Sequence, residues 1–141
     1  MMTKPNDPLP KNEEQWRGCL TPEQFEVARR KGTEPAFSGE YDKCFRPGVY
    51  RCVCCGEPLF SSQTKYNSGS GWPSFYRPAT EQSVSTADDT SDDRQRVEVL
   101  CRQCGAHLGH VFDDGPAPTG LRYCINSVCL KLDESAEPRQ E

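Results

Sequence analysis

The sequence predicts a mainly β domain of antiparallel strands with short helices at its N-terminal end. Three observations lead there. The chain has 141 residues, about one domain's worth. Beyond Gly32 the helical period disappears, and short runs rich in β-branched and aromatic residues alternate with Gly, Pro, Asn and Asp. Nine cysteines are many for this length, and four of them form two Cys-x-x-Cys-Gly turns, which pin hairpins rather than helices.

In chain order, residues 1–10 are rich in Pro and Asn and should form a flexible tail, as should the almost wholly polar residues 133–141. Residues 11–132 are expected to make one domain. Thr21-Pro22-Glu23-Gln24 carries an N-cap hydroxyl, Pro at the first helical position and Gln at the third, which can reach back as a capping box. Leu20 and Phe25 could staple that end. A helix is predicted from Pro22 to about Lys31, ended by Gly32. Strands are predicted at residues 49–52, 83–86, 96–100 and 111–112 and within 121–132. The acidic stretch Ala87 to Asp93 lacks the Gly and distal Glu of a calcium loop and is expected to be a solvated loop. Asn67 to Trp72 lacks the Lys and spacing of a phosphate loop and reads as a tight turn presenting Trp72.

The 17 basic and 21 acidic residues leave a net charge of -4 without any basic block. That excludes a nucleic-acid or anionic-membrane binder held by phosphate contacts. No apolar stretch approaches the ~18 residues of a spanning helix, and the start shows no export signal. An odd number of closely spaced cysteines in such a chain fits a reducing compartment, so a cytoplasmic location is expected.

Cys52-Val53-Cys54-Cys55-Gly56 and Cys101-Arg102-Gln103-Cys104-Gly105 define the metal expectation. A two-residue spacer lets both thiolates of a turn reach one cation, and Gly then lets the chain reverse. Cys54 competes with Cys55, but only Cys52 with Cys55 reproduces the spacing of the second unit. Cys52, Cys55, Cys101 and Cys104 are therefore the expected ligands of one structural Zn²⁺, closed to substrate because four protein ligands fill it.

Strand alternation through Gly120 to Ser127 puts Arg122, Cys124 and Asn126 on one face and Tyr123 with Ile125 on the other. Arg122 could stabilise a thiolate there. Both histidines of the chain lie in His107-Leu108-Gly109-His110, on opposite faces unless Gly109 bulges the strand. Taken singly, a strand cysteine is more often inert.

Together with Pro58-Leu59-Phe60, Gly71-Trp72-Pro73-Ser74-Phe75, Arg96-Val97-Glu98-Val99 and Val111-Phe112, these segments resemble the B-type methionine sulfoxide reductases, which reduce the R epimer of methionine sulfoxide. The matches run in order from about Leu20 to Leu132. The resemblance implies two antiparallel sheets, repair of oxidised proteins or reduction of the free sulfoxide under oxidative stress, a monomer, and thioredoxin as electron donor. It implies Cys124 as the attacking thiol, His110 as acid with His107 beside it, and Asn126 orienting the thiol or a water. Trp72 would be a wall for the substrate methyl, with Phe112 and Arg122 at the substrate site and Phe112 and Asp113 supporting it without doing chemistry.

Two positions depart from the pattern. Many relatives carry a resolving cysteine two residues before the Trp, where this chain has Ser70, and Ser cannot form the required disulfide. Cys44, in a loop with nearby positive charge, is the favoured substitute, then Cys19, then direct attack by an external reductant. Cys54 and Cys129 are disfavoured, the first by the metal turn and the second by strand parity. Asp92 stands where many relatives have His. A zinc-ribbon docking module would leave Cys124 and the histidines without a purpose, and a thiol sensor or peroxidase would not need Trp72.

Overall fold

The computed structural model describes residues 13–90 and 95–136. Most of the two expected tails, and Asp92, lie outside these. Among the described residues two α-helices come first, α1 (Glu13–Cys19) and α2 (Pro22–Ala28). The capping box forms as expected: Thr21 Oγ1 accepts from the Gln24 amide at 3.1 Å, and Gln24 Oε1 accepts from the Thr21 amide at 2.9 Å. The helix stops earlier than Gly32, with Arg29 as its C-cap. The reversal falls on Lys31, whose φ of 61° is left-handed, while the Gly32 amide bonds back to the Glu26 carbonyl at 3.0 Å.

Nine strands follow among the described residues: β1 (Val49–Cys52), β2 (Pro58–Ser61), β3 (Lys65–Tyr66), β4 (Ser74–Phe75), β5 (Val84–Asp89), β6 (Arg96–Cys101), β7 (His107–Phe112), β8 (Arg122–Ile125) and β9 (Leu130–Asp133). All pairings are antiparallel. The strands form a three-stranded sheet ordered β2-β1-β9 and a six-stranded sheet ordered β3-β4-β8-β7-β6-β5. The run from 121 to 132 is thus two strands in different sheets, switched by a one-turn 3-10 helix at Ser127–Cys129. The last strand includes Asp133, whose carboxylate pairs with Arg51 at 2.9 Å, so β9 takes in the first residue of the stretch expected to be a tail.

The sheets meet through aromatic rings. Phe60 of β2 stacks on Phe75 of β4 with centroids 4.4 Å apart, and Tyr50 of β1 meets Phe75 edge-on at 5.3 Å. Tyr50, Leu59, Phe60, Phe75, Val99, Leu108 and Ile125 are fully buried. Because pleating alternates, filling one face of the large sheet with Phe75, Tyr123, Ile125 and Val99 leaves the intervening residues on the opposite face. Among the described residues no helix is long and apolar enough to cross a membrane.

Candidate active site and metal centre

Pairing register assembles the site. Ser74 of β4 faces Cys124 of β8, Cys124 faces His110 of β7, His110 faces Glu98 of β6, and Glu98 faces Ala87 of β5. Two residues further along, Arg122 faces Phe112 and Arg96 faces Asp89 on the same side. The pleat therefore lays thiol, imidazole and carboxylate side by side across four strands.

One irregularity adds the second imidazole. Val99 pairs with Gly109 but Leu100 pairs with His107, so Leu108 is an extra residue beside Gly109. This bulge cancels the alternation that would have separated the histidines, and their ring centroids lie 5.5 Å apart. Gly109 lets β7 and β8 approach closely: a Cβ there would come 2.0 Å from the Cys124 carbonyl oxygen.

Each imidazole is held by a buried carboxylate. His110 Nε2 lies 2.7 Å from Asp89 Oδ2, and His107 Nδ1 lies 2.7 Å from Glu98 Oε2. Glu98 also receives Lys31 Nζ at 3.3 Å, and Asp89 has Arg96 at 3.7 Å. Burial lowers the proton affinity of His107 below the ordinary imidazole value, with Glu98 opposing it. Asp89 corrects the sequence reading: Ala87 to Asp89 belong to β5, and Asp89 is buried rather than solvated. Its place opposite Arg96 on the neighbouring strand puts it on the face that carries His110, which the acidic run by itself did not reveal. Glu98 was visible as a carboxylate between two valines, a pattern that asks for a buried partner.

Cys124 is half-buried, with Ser70 Oγ 3.9 Å from its sulfur. Burial pushes the thiol above its ordinary range, and the Ser70 hydroxyl and Arg122 only partly offset it. Arg122 is bidentate to Asp114, at 2.8 and 3.2 Å, and its guanidinium stacks 4.4 Å above the Phe112 ring. Asn126 is spent on backbone: Oδ1 accepts from the Glu34 amide and Nδ2 donates to the Leu108 carbonyl, both at 3.0 Å. Trp72 Nε1 donates to the Glu34 carbonyl at 3.0 Å. Glu34, which the sequence did not single out, thus ties the segment after α2 to both Asn126 and Trp72. Its carboxylate accepts from the Val128 amide at 3.0 Å.

These groups enclose a cavity of about 320 Å³. Trp72, His110, Phe112, Arg122, Cys124 and Asn126 line it together with Ser70, Arg96 and Thr33. His107 is buried behind it. Of the other thiols, Cys129 is buried and donates to the His107 carbonyl, 3.2 Å away. Cys19 ends α1 and packs on the core. Cys44 takes a hydrogen bond from Arg46 Nε at 3.3 Å. Burial alone would raise the Cys44 thiol, but Arg46 outweighs it and lowers the thiol below its ordinary value. Its neighbours are Tyr50, against Phe75, and Lys65, paired with Phe75. Cys44 therefore sits toward the core face of the large sheet, away from the face that carries Cys124.

The metal centre is separate. Cys52, Cys55, Cys101 and Cys104 bring their sulfurs within 4.8 Å of one another. Two of the separations, Cys52 to Cys104 and Cys55 to Cys101, are 3.7 and 3.6 Å. A tetrahedral ion at ~2.3 Å from each sulfur requires about 3.8 Å, so the four residues fit one cation. The turns are alike: Gly56 and Gly105 have φ of 84° and 77°, and each donates to the carbonyl of the first cysteine of its turn. Cys54 is buried outside the four-sulfur cluster, in agreement with the expected register.

The two-sheet β fold gathers four thiols in one cluster and places a further thiol in a pocket beside paired imidazoles and carboxylates, an arrangement suited to an oxidoreductase working on sulfur. Residues 20–134 match the SelR domain family. The chain is 59% identical over 126 residues to the peptide methionine sulfoxide reductase MsrB of Pseudomonas syringae pv. syringae (strain B728a), covering 89% of this chain and 96% of that one. To the protein of the same name from Cellvibrio japonicus (strain Ueda107) it is 60% identical over 122 residues, 86% of this chain and 87% of that one. For that of Saccharophagus degradans (strain 2-40) the figures are 56% over 133 residues, 94% and 99%. The chain belongs to the SelR domain family of MsrB-type methionine sulfoxide reductases.

Proposed function

We propose that this protein reduces methionine-R-sulfoxide, protein-bound or free, to methionine through Cys124. The observation that carries the reading is the juxtaposition of Cys124 and His110 across β7 and β8 inside a pocket walled by Trp72. The Cys124 sulfur attacks the sulfoxide sulfur, the S–O bond breaks, and oxygen ends on Cys124 as a sulfenic acid while methionine leaves. The cysteine is oxidised by two electrons and the sulfoxide reduced by two. Because burial keeps the thiol protonated, its proton is available for the sulfoxide oxygen. His110 transfers it, held in place by Asp89 on Nε2, which leaves Nδ1 for the pocket.

His107 with Glu98 supports His110 from behind, and Asn126 acts by positioning the Glu34 segment and β7. Trp72 receives the methyl group. The two epimers exchange methyl and oxygen, so an indole wall opposite a polar cluster admits one of them. Phe112 and Arg122 brace the thiol's strand. Cys52, Cys55, Cys101 and Cys104 would hold a zinc ion, which would cross-link the two turns and, with four protein ligands, leave no open position for sulfur chemistry.

The sulfenic acid is returned to thiol by Cys44 ahead of Cys19, with thioredoxin reducing the resulting disulfide. The lowered Cys44 thiol suits attack. Its place toward the other face of the sheet means that the chain between Phe37 and β1, beyond the contacts that hold Glu34 and Phe37 to Asn126, Trp72 and Gly71, must swing for the sulfurs to meet. The test is methionine release from R and S sulfoxide with dithiothreitol or thioredoxin. Wild type should consume only R, Cys124→Ser should be inactive, and Asp89→Asn should lose at least about tenfold in turnover while staying folded. Full turnover by Cys124→Ser would refute the assignment. With Cys44→Ser, one methionine per chain should form without thioredoxin-driven cycling, and Cys19→Ser should cycle normally; the reverse pattern moves the role to Cys19.

A further inference from the structure

We infer that Phe37 is a specificity-determining residue that makes a shelf for an apolar side chain flanking an oxidised methionine in a polypeptide. The inference rests on the proposed activity and deepens it by naming the substrate class.

Phe37 is 63% exposed, and the other exposed large apolar side chain among the described residues is Phe45 at 53%. The Phe45 ring is covered by the Lys65 ammonium at 3.9 Å. Phe37, in contrast, presents its ring to solvent from a backbone with φ of 65°, a left-handed conformation that an aromatic L-residue adopts at a cost. The surroundings enforce it. The Phe37 amide donates to the Gly71 carbonyl at 2.7 Å. The ring also lies against Gly71, where a Cβ would come 3.0 Å from two of its carbons.

Gly71 precedes Trp72, the wall of the pocket. Three residues before Phe37, Glu34 is bonded to the Trp72 indole and to Asn126. The Glu34–Phe37 segment is therefore fastened to the pocket at both ends, and the Phe37 ring lies against Gly71, next in the chain to the cavity-lining Trp72, while standing outside the lining itself. A free methionine sulfoxide would occupy the cavity alone, whereas a polypeptide substrate would continue past it toward this ring. Methionine belongs to the apolar interiors of proteins, so a methionine oxidised in an unfolded chain has apolar neighbours newly exposed. A rigid aromatic surface at the rim fits that occupant without ordering a flexible loop first.

Steady-state kinetics on three R-sulfoxide substrates test it: the free amino acid, a pentapeptide with Ser on both sides of the sulfoxide, and one with Leu on both sides. Phe37→Ala should lower kcat/KM about tenfold, through KM, on the Leu-flanked peptide alone, the scale set by part of an aromatic ring's burial. The other two substrates should change less than about twofold. Phe37→Gly should show the same selectivity with an undiminished thermal midpoint, since glycine adopts this φ freely; it separates substrate binding from folding. An equal loss on all three substrates, no loss on any, or a wild-type self-association abolished by Phe37→Ala would overturn the inference. Failure of wild type to reduce any of the three would refute the activity itself and this inference with it.

Discussion

Ser70→Cys should give this protein a resolving thiol where the chain has a hydroxyl. Ser70 Oγ lies 3.9 Å from the Cys124 sulfur. The longer C–S bond and small side-chain rotations have to close less than about 2 Å to reach the ~2.05 Å of a disulfide. The joined residues are 54 positions apart, and a loop of that size constrains the unfolded chain by about 4 kcal/mol at most. For a chain of this length that raises the thermal midpoint of the oxidised form by an amount on the order of 10 °C over the reduced form. After one equivalent of R sulfoxide, non-reducing peptide mass spectrometry should find residues 70 and 124 linked. Thioredoxin-driven cycling should persist when Cys44→Ser is added. A sulfenic acid that stays trappable on Cys124, with equal melting of oxidised and reduced protein, would show that the Ser70 loop cannot bring its side chain to the attacking sulfur.

Two further outcomes follow. Cys52→Ser or Cys101→Ser should abolish a stoichiometric zinc measured by elemental analysis and lower the thermal midpoint, whereas Cys54→Ser should keep one ion per chain, since Cys54 lies outside the four-sulfur cluster. Because Arg46 lowers the Cys44 thiol while burial raises that of Cys124, iodoacetamide at pH 7 should label Cys44 first. Labelling of Cys124 should climb about tenfold per pH unit up to pH 9. Preferential labelling of Cys124 at pH 7, read by peptide mapping, would contradict these electrostatics.

The metal turns were legible because their physics is local: spacer length and the following glycine decide whether two sulfurs can share an ion. The Thr21 cap was legible for the same reason. Cys124 with Arg122 on one strand face followed from alternation alone. What escaped depends on partners distant in sequence. Asp89 looks solvated in an acidic run until its pairing opposite Arg96 and its bond to His110 are known. The nearness of the two histidines was left open in the sequence as a bulge at Gly109, and it is the extra residue at Leu108, which changes parity within one strand, that brings them together. Glu34 acquires its importance from distant partners, Trp72, Val128 and, 92 positions away, Asn126. The switch of sheets at Ser127–Cys129 was hidden because one apolar run served two strands.

The absence of a side chain at residue 109 has an outcome of its own. Even one methyl there would drive β8 off β7 at the point where Cys124 is anchored. The sulfur and the His110 ring ride on those two strands, so their separation is set by backbone contact rather than by rotamer choice. Gly109→Ala would thus act as a molecular shim, widening the gap between reacting groups while leaving every chemically competent side chain in place.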